Sequence, residues 1–186
     1  ELLTNIEGMP KQEIVKTTIR NLFPTFQDWK DSFWPIIRGT VVGFFVGVLP
    51  GGGVTVSTFI DYGMEKRLSK HPQKFGTGII EGVAGPETAN NASTSGSLVP
   101  LLSLGLPTNA VMAMLLGAFI IHGIQPGPFF ITDRPDIFWG IIASMYIGNV
   151  MLVILNLPLI GLWVQLLKIP YRLLFPLIIA FCFIGV

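Results

Sequence analysis

EGVAGPETANNASTSGSLVPLLSLGLPTN, residues 81–109, is a run of glycine, proline, hydroxyls and paired amides with oily segments on both sides. Backbone N–H and C=O groups left unpaired in a bilayer cost several kcal/mol each, so broken helix at membrane depth survives only when buried in protein or lining a wet cavity. The stretch therefore reads as a site inside an all-α, polytopic membrane protein with discontinuous helices and a re-entrant helical hairpin.

The rest of the chain agrees with that setting. Of its 186 residues 51% are apolar and only 12% charged, and the mean hydropathy is +0.64, which is far from the charge content of a soluble domain. Basic residues gather in the first 34 positions and at Lys66, Arg67, Lys70 and Lys74, whereas residues 137–167 carry no charge. A net charge of +1, without a basic stripe interleaved with aromatics, excludes nucleic acid as a partner. The single cysteine, Cys182, lies in an apolar run and cannot form an intrachain disulfide. The chain begins without Met and stops within LLFPLIIAFCFIGV, so it reads as a fragment.

Outward from the opening stretch, residues 1–34 read as an amphipathic, interfacial connecting segment and residues 35–186 as a transmembrane region. KQEIVKTTIRNLF at 11–23 has the spacing of a short amphipathic helix ended by Pro24, and Trp29, Phe33 and Trp34 mark a headgroup level. From Pro35 an apolar helix carries Gly39, Gly43, Gly47 and Gly51 at four-residue spacing, which lets a neighbouring helix approach closely. Pro50-Gly51-Gly52-Gly53 then interrupts it, giving either a discontinuous helix or a tight turn between two helices. The basic loop 66–74 follows a membrane segment and should face the cytoplasm. Residues 110–124 cover about 22 Å as helix, short of a hydrocarbon core of about 30 Å, so 82–124 reads as two helical arms meeting at a re-entrant tip within 104–109. Residues 137–167 read as one span and a shorter apolar segment, interrupted at Asn156-Leu157-Pro158.

Chemistry without formal charge is concentrated at three breaks, 50–53, 86–95 and 105–109. Asn90, Asn91, Thr108 and Asn109 supply donors and acceptors suited to a carboxylate, and a half-helix starting after Pro107 offers free N–H groups and the positive end of its dipole. Ser93 to Ser97 read instead as interhelical hydrogen bonds and caps. Gly51, Gly52 and Gly53 can form an anion-binding nest or hold a cation on broken backbone carbonyls. Glu87 is divided between ion coupling and helix N-terminal stabilisation, and Glu81 reads as a salt-bridge partner of the basic loop. Asp61 and Glu65 read as a solvated helix end. No metal-ligand spacing, nucleophile elbow or HExxH occurs, so no catalytic residue, metal or cofactor is expected. The competing reading is a membrane-embedded enzyme using Asp61, Glu81 or Glu87, which would need two such groups converging on one point.

LPGGG at 49–53, YGMEKRLSKHPQKFGTGIIEGVAGPETANN at 62–91, LVPLLSLGLPTNAVM at 98–112 and IHGIQPGP at 121–128 resemble the large permease subunit of the tripartite tricarboxylate transporters. The resemblance covers roughly 21–130 by motif, and the remainder by hydropathy. It implies a multi-pass protein of the bacterial inner membrane that works with a small membrane subunit and a periplasmic solute-binding protein. It also implies secondary, alternating-access import of citrate-like or related carboxylates, driven by a Na+ or H+ gradient, in a protein of two inverted repeats of which this chain resembles the second. The family's PExANN pattern falls on Pro86, Glu87, Ala89, Asn90 and Asn91, and its Leu-Gly-Ile/Leu-Pro turn on Leu104, Gly105, Leu106 and Pro107, which adds Gly105 to the substrate-binding set. Thr108-Asn109 stands where the family often has Gly-Ser.

Overall fold

The computed structural model describes residues 23–166 and 171–184, and every regular element among them is a helix. The order is α1 (Phe26–Val48), α2 (Gly53–Leu68), a single 3-10 turn (Pro72–Lys74), α3 (Glu81–Leu104), α4 (Ala110–Ile121), α5 (Phe130–Asp133), α6 (Pro135–Leu166) and α7 (Tyr171–Ile184). The amphipathic helix expected at 11–23 lies almost wholly outside the described residues. Residues 24–145 form one compact unit, and the described residues from Tyr146 onward belong to another.

α1 starts at Phe26, nine residues earlier than Pro35, where the apolar pattern begins. The cause is a capping box: the Thr25 hydroxyl accepts the Asp28 N–H at 3.2 Å, while the Asp28 carboxylate accepts the Thr25 N–H at 2.7 Å. Trp29, Phe33 and Trp34 are therefore exposed residues of the first turns of α1.

α3 packs along both α1 and α2. Gly39, Gly43 and Gly47 of α1 meet Gly85, Ala89 and Ser93 of α3, and the two four-residue stripes leave no room for side chains between them. A Cβ on Gly43 would stand 2.6 Å from the Ala89 Cα, and one on Gly47 2.7 Å from the Ser93 Cα. Backbones in such contact are held by close packing, as in small-residue seams of membrane helices.

Two expected interruptions are absent. α3 is continuous from Glu81 to Leu104 through Pro86 and Pro100, so 86–95 is helix and not a break. The hydroxyls that made this stretch look like a loop bond their own helix one turn back: Thr88 to the Ala84 carbonyl at 2.6 Å, Thr94 to Asn90 at 3.4 Å and Ser103 to Val99 at 2.6 Å. Glu81, not Glu87, consequently supplies the first-turn acid. α6 likewise runs through Asn156 and Pro158 as one 32-residue helix, in which the Asn156 amide donates to the Leu152 carbonyl at 2.9 Å. Its segment Pro135–Trp163, with mean hydropathy 2.0, is the one helix among the described residues long and apolar enough to cross a membrane by length and composition alone.

The remaining interruption is real. α3 ends at Gly105, whose φ of +68° gives a left-handed cap with its N–H on the Leu101 carbonyl at 3.0 Å. Residues 105–109 are non-helical, and α4 then runs for only 12 residues, about 18 Å. A non-helical segment at 105–109 thus separates two helices, at the place where Pro107 stands. The base of the arms is closed by an apolar cluster of Leu98, Leu101, Leu102, Met112, Phe119 and Phe130, with Phe138 of α6 edge-on to Phe130. The Gly127 N–H ties the QPGP loop to the Leu102 carbonyl at 3.1 Å.

Candidate functional site

The two turns that break the helices lie against each other. The Gly51 N–H donates to the Thr108 carbonyl at 2.9 Å, joining LPGGG to LPTN across more than fifty residues of chain. Gly51 has φ +77° and Gly53 φ +58°, conformations open to glycine, and nothing lies within 4 Å of where a side chain at either would begin. Gly52 is different: its N–H returns to the Leu49 carbonyl at 3.0 Å, and a Cβ there would strike the last turn of α1. The segment 50–53 is therefore a tight turn between two helices whose glycines divide between fitting the turn and lining the junction.

Asn109 is the hinge of the second turn. Its Oδ1 accepts the Met112 N–H at 3.0 Å, capping α4, and its Nδ2 donates to the Ser97 hydroxyl at 3.3 Å and to the Thr108 hydroxyl at 3.5 Å. Ser97, fully buried, donates in turn to the Gly47 carbonyl at 3.0 Å near the end of α1. A continuous polar line thus runs from the start of α4 through α3 to the end of α1. Ser97 bridges helices, as its reading from sequence holds. Thr108 is buried, and Asn109 and Gly105 are half-buried. The N-terminus of α2 carries no side-chain cap. The Gly51–Thr108 bond lies two residues from each helix start, so the N-termini of α2 and α4, each the positive end of a helix dipole, are neighbours.

Asn90 and Asn91 stand elsewhere. They lie about two helical turns before Ser97 on α3, about 10 Å along the axis. The exposed Asn91 donates to its own helix at the Glu87 carbonyl, 3.2 Å away. Asn91, Glu87 and Thr88 instead line an open groove of about 310 Å³ with Asp28, Trp29 and Ser32 of α1. Glu81 accepts from the Ser69 hydroxyl rather than pairing with a lysine of the exposed basic loop.

The acids of α2 overturn their reading as a solvated helix end. Asp61 is 0% and Glu65 1% exposed. Arg38 of α1 reaches Glu65 with two parallel bonds, Nε to Oε1 and Nη2 to Oε2, each 2.6 Å. Ser57, Asp61 and Glu65 recur every four residues, the same period as the glycines of α1, and that shared period was the signal that they form a buried face. Asp61, Glu81 and Glu87 thus occupy three different surroundings and do not converge on one point.

Over residues 1–186 the chain matches the family described as the tripartite tricarboxylate transporter TctA family. The chain belongs to that family. Two similar proteins of Agrobacterium vitis are an uncharacterized 52.8 kDa protein in the TAR-I ttuC' 3' region, 54% identical over 185 residues, and an uncharacterized protein in the TAR-II ttuC' 3' region, 62% identical over 143 residues. The match takes in 100% of this TctA-family chain and 37% of the first relative, and 77% of this chain and 59% of the second. No solved structure matches the chain. TctA is a family of transporters, and its name speaks of a tripartite assembly and of tricarboxylates.

Proposed function

We propose that the chain is part of the permease of a secondary carrier that imports organic carboxylates across the bacterial inner membrane by alternating access, together with a small membrane subunit and a periplasmic solute-binding protein. The observation that carries this reading is the juxtaposition of two helix N-termini at the Gly51–Thr108 bond. Unsatisfied N–H groups and aligned dipoles form a ready anion site, and neutral Asn and Thr groups add donors without a competing negative charge. In this reading Gly105, Thr108, Asn109 and the 51–53 backbone contact the substrate. Asn91 and Glu87 serve the same pathway from the α1–α3 groove, with Asn90 beside them on α3, and a Na+ or H+ gradient drives the cycle. α3 and α4 make a re-entrant hairpin, because α4 is shorter than the hydrocarbon core is thick.

Asn109→Ser tests the site. Serine keeps a helix cap but removes the amide donors, including the bond to Ser97, so the unfolding temperature is read beside uptake to separate the ligand from the fold. A hydrogen bond to a charged group is worth about 1.5–3 kcal/mol, so affinity for carboxylate should fall by roughly ten- to a hundredfold. The measurement is uptake of labelled carboxylates at subsaturating concentration by the full-length permease with its partners, at matched membrane expression. Wild-type uptake by the variant would refute the site.

Orientation is tested separately. In a cysteine-free background of the full-length protein, a cysteine substituted for Lys70 should be protected from a membrane-impermeant thiol reagent added to intact cells, and be labelled after lysis. Labelling in intact cells would invert the topology.

A further inference from the structure

Among the described residues Asp61 is the charged side chain whose environment is unresolved by anything around it. Both carboxylate oxygens are buried and neither has a hydrogen-bond partner. The donors nearest in the fold are already spent. One turn earlier, the Ser57 hydroxyl lies 2.7 Å from the Val54 carbonyl and 3.3 Å from that of Ala89. Arg38, the charged group facing the cluster from α1, is committed through two bonds to Glu65, the other acid on α2. From α3 the facing residue is Gly85, while that helix's acids are engaged with Ser69, as Glu81 is, or exposed, as Glu87 is.

Arg38 and Glu65 neutralise one another, which leaves Asp61 as the uncompensated charge of the seam. A buried carboxylate without donors is stable only when protonated or when holding a cation. A multivalent metal ion needs several charged or imidazole ligands, and among the described residues no group of three His, Cys, Asp or Glu side chains is assembled. A proton needs none. Packing points the same way: a Cβ on Gly85 would fall 2.5 Å from Asp61 Oδ2, so the carboxyl lies closely against the α3 backbone.

We propose that Asp61 binds a proton when the α2–α3 seam is closed and releases it when the seam opens to water, so that it carries the coupling ion of the transport cycle. This rests on the carrier reading above. The neutral acid fits the closed seam, whereas the ionised form requires donors that only water or a rearranged α2 can supply. Protonation therefore biases two arrangements of the helix whose N-terminus forms half of the anion site.

The test uses the full-length permease in two measurements. Infrared spectra across a pH titration should show a protonated carboxyl C=O band that disappears at alkaline pH, is lost in Asp61→Asn and returns shifted in Asp61→Glu. In proteoliposomes carrying the partner subunits and an entrapped pH dye, Asp61→Asn should lose substrate-dependent proton entry and concentrative uptake, yet retain exchange of labelled carboxylate across the membrane. The proposal is overturned if Asp61→Asn leaves the band and proton entry intact, or if uptake follows Na+ with no proton entry. A wild-type protein that shows the band but moves no carboxylate under any gradient would instead refute the carrier reading and leave Asp61 as a proton-binding residue.

Discussion

Arg38→Met is expected to destabilise the full-length permease by about 3–5 kcal/mol, the cost of leaving a buried charge without its partner. Glu65 is 1% exposed, and both of its oxygens are held by the Arg38 fork. Methionine replaces the length of the arginine stem but none of its charge, so Glu65 must take up a proton or pull the α1–α2 contact open. The double variant Arg38→Met, Glu65→Met should recover much of the loss, because removing both charges also removes the desolvation burden that the pair carries. Thermal unfolding in detergent, read on both variants, measures this. If the double variant is as unstable as the single one, the pair is not what holds α1 to α2.

The parts of the molecule legible in its residues are those whose cause is local. At 50–53 and 105–109 proline stands beside glycines of positive φ, a combination that ends a helix from within the segment itself, and glycine at 39, 43 and 47 repeats at the helical period of close approach. Other parts depended on what surrounds them. Pro86 and Pro158 read as interruptions, yet each sits within a continuous helix, since a helix already fixed by packing on either side can carry one missing N–H. The hydroxyls and amides of 88–95 looked like loop chemistry until their carbonyl partners one turn back were known. Asp61 and Glu65 were the largest misreading, because Lys66 and Arg67 beside them suggested water. Their burial is set by Arg38, distant in sequence, and by Gly85, whose missing side chain makes the space. Asn90 and Asn91 failed to join Asn109 for a simple reason: an unbroken α3 keeps them two turns away.

Gly43→Ala should cost about 3 kcal/mol, at the upper end of what one added methyl group does in a packed interior. The added carbon would meet the Ala89 backbone, 2.6 Å from its Cα and 2.7 Å from its carbonyl carbon, and a backbone cannot turn aside as the end of a flexible side chain can. Relief requires α1 to move away from α3, which would stretch the Ser97–Gly47 bond one turn further along and, through Ser97, disturb Asn109 at the tip. Loss of thermal stability should therefore be accompanied by loss of carboxylate uptake, though Gly43 touches no group of the site. Gly63→Ala in α2 is the control. Nothing lies within 4 Å of a Cβ there, so the exchange should be neutral or gain up to about 1 kcal/mol from helix propensity. Equal effects of the two substitutions on unfolding temperature would mean that the α1–α3 seam is not close-packed. A loss confined to Gly43 would tie the geometry of the proposed anion site to the glycine stripe that positions it.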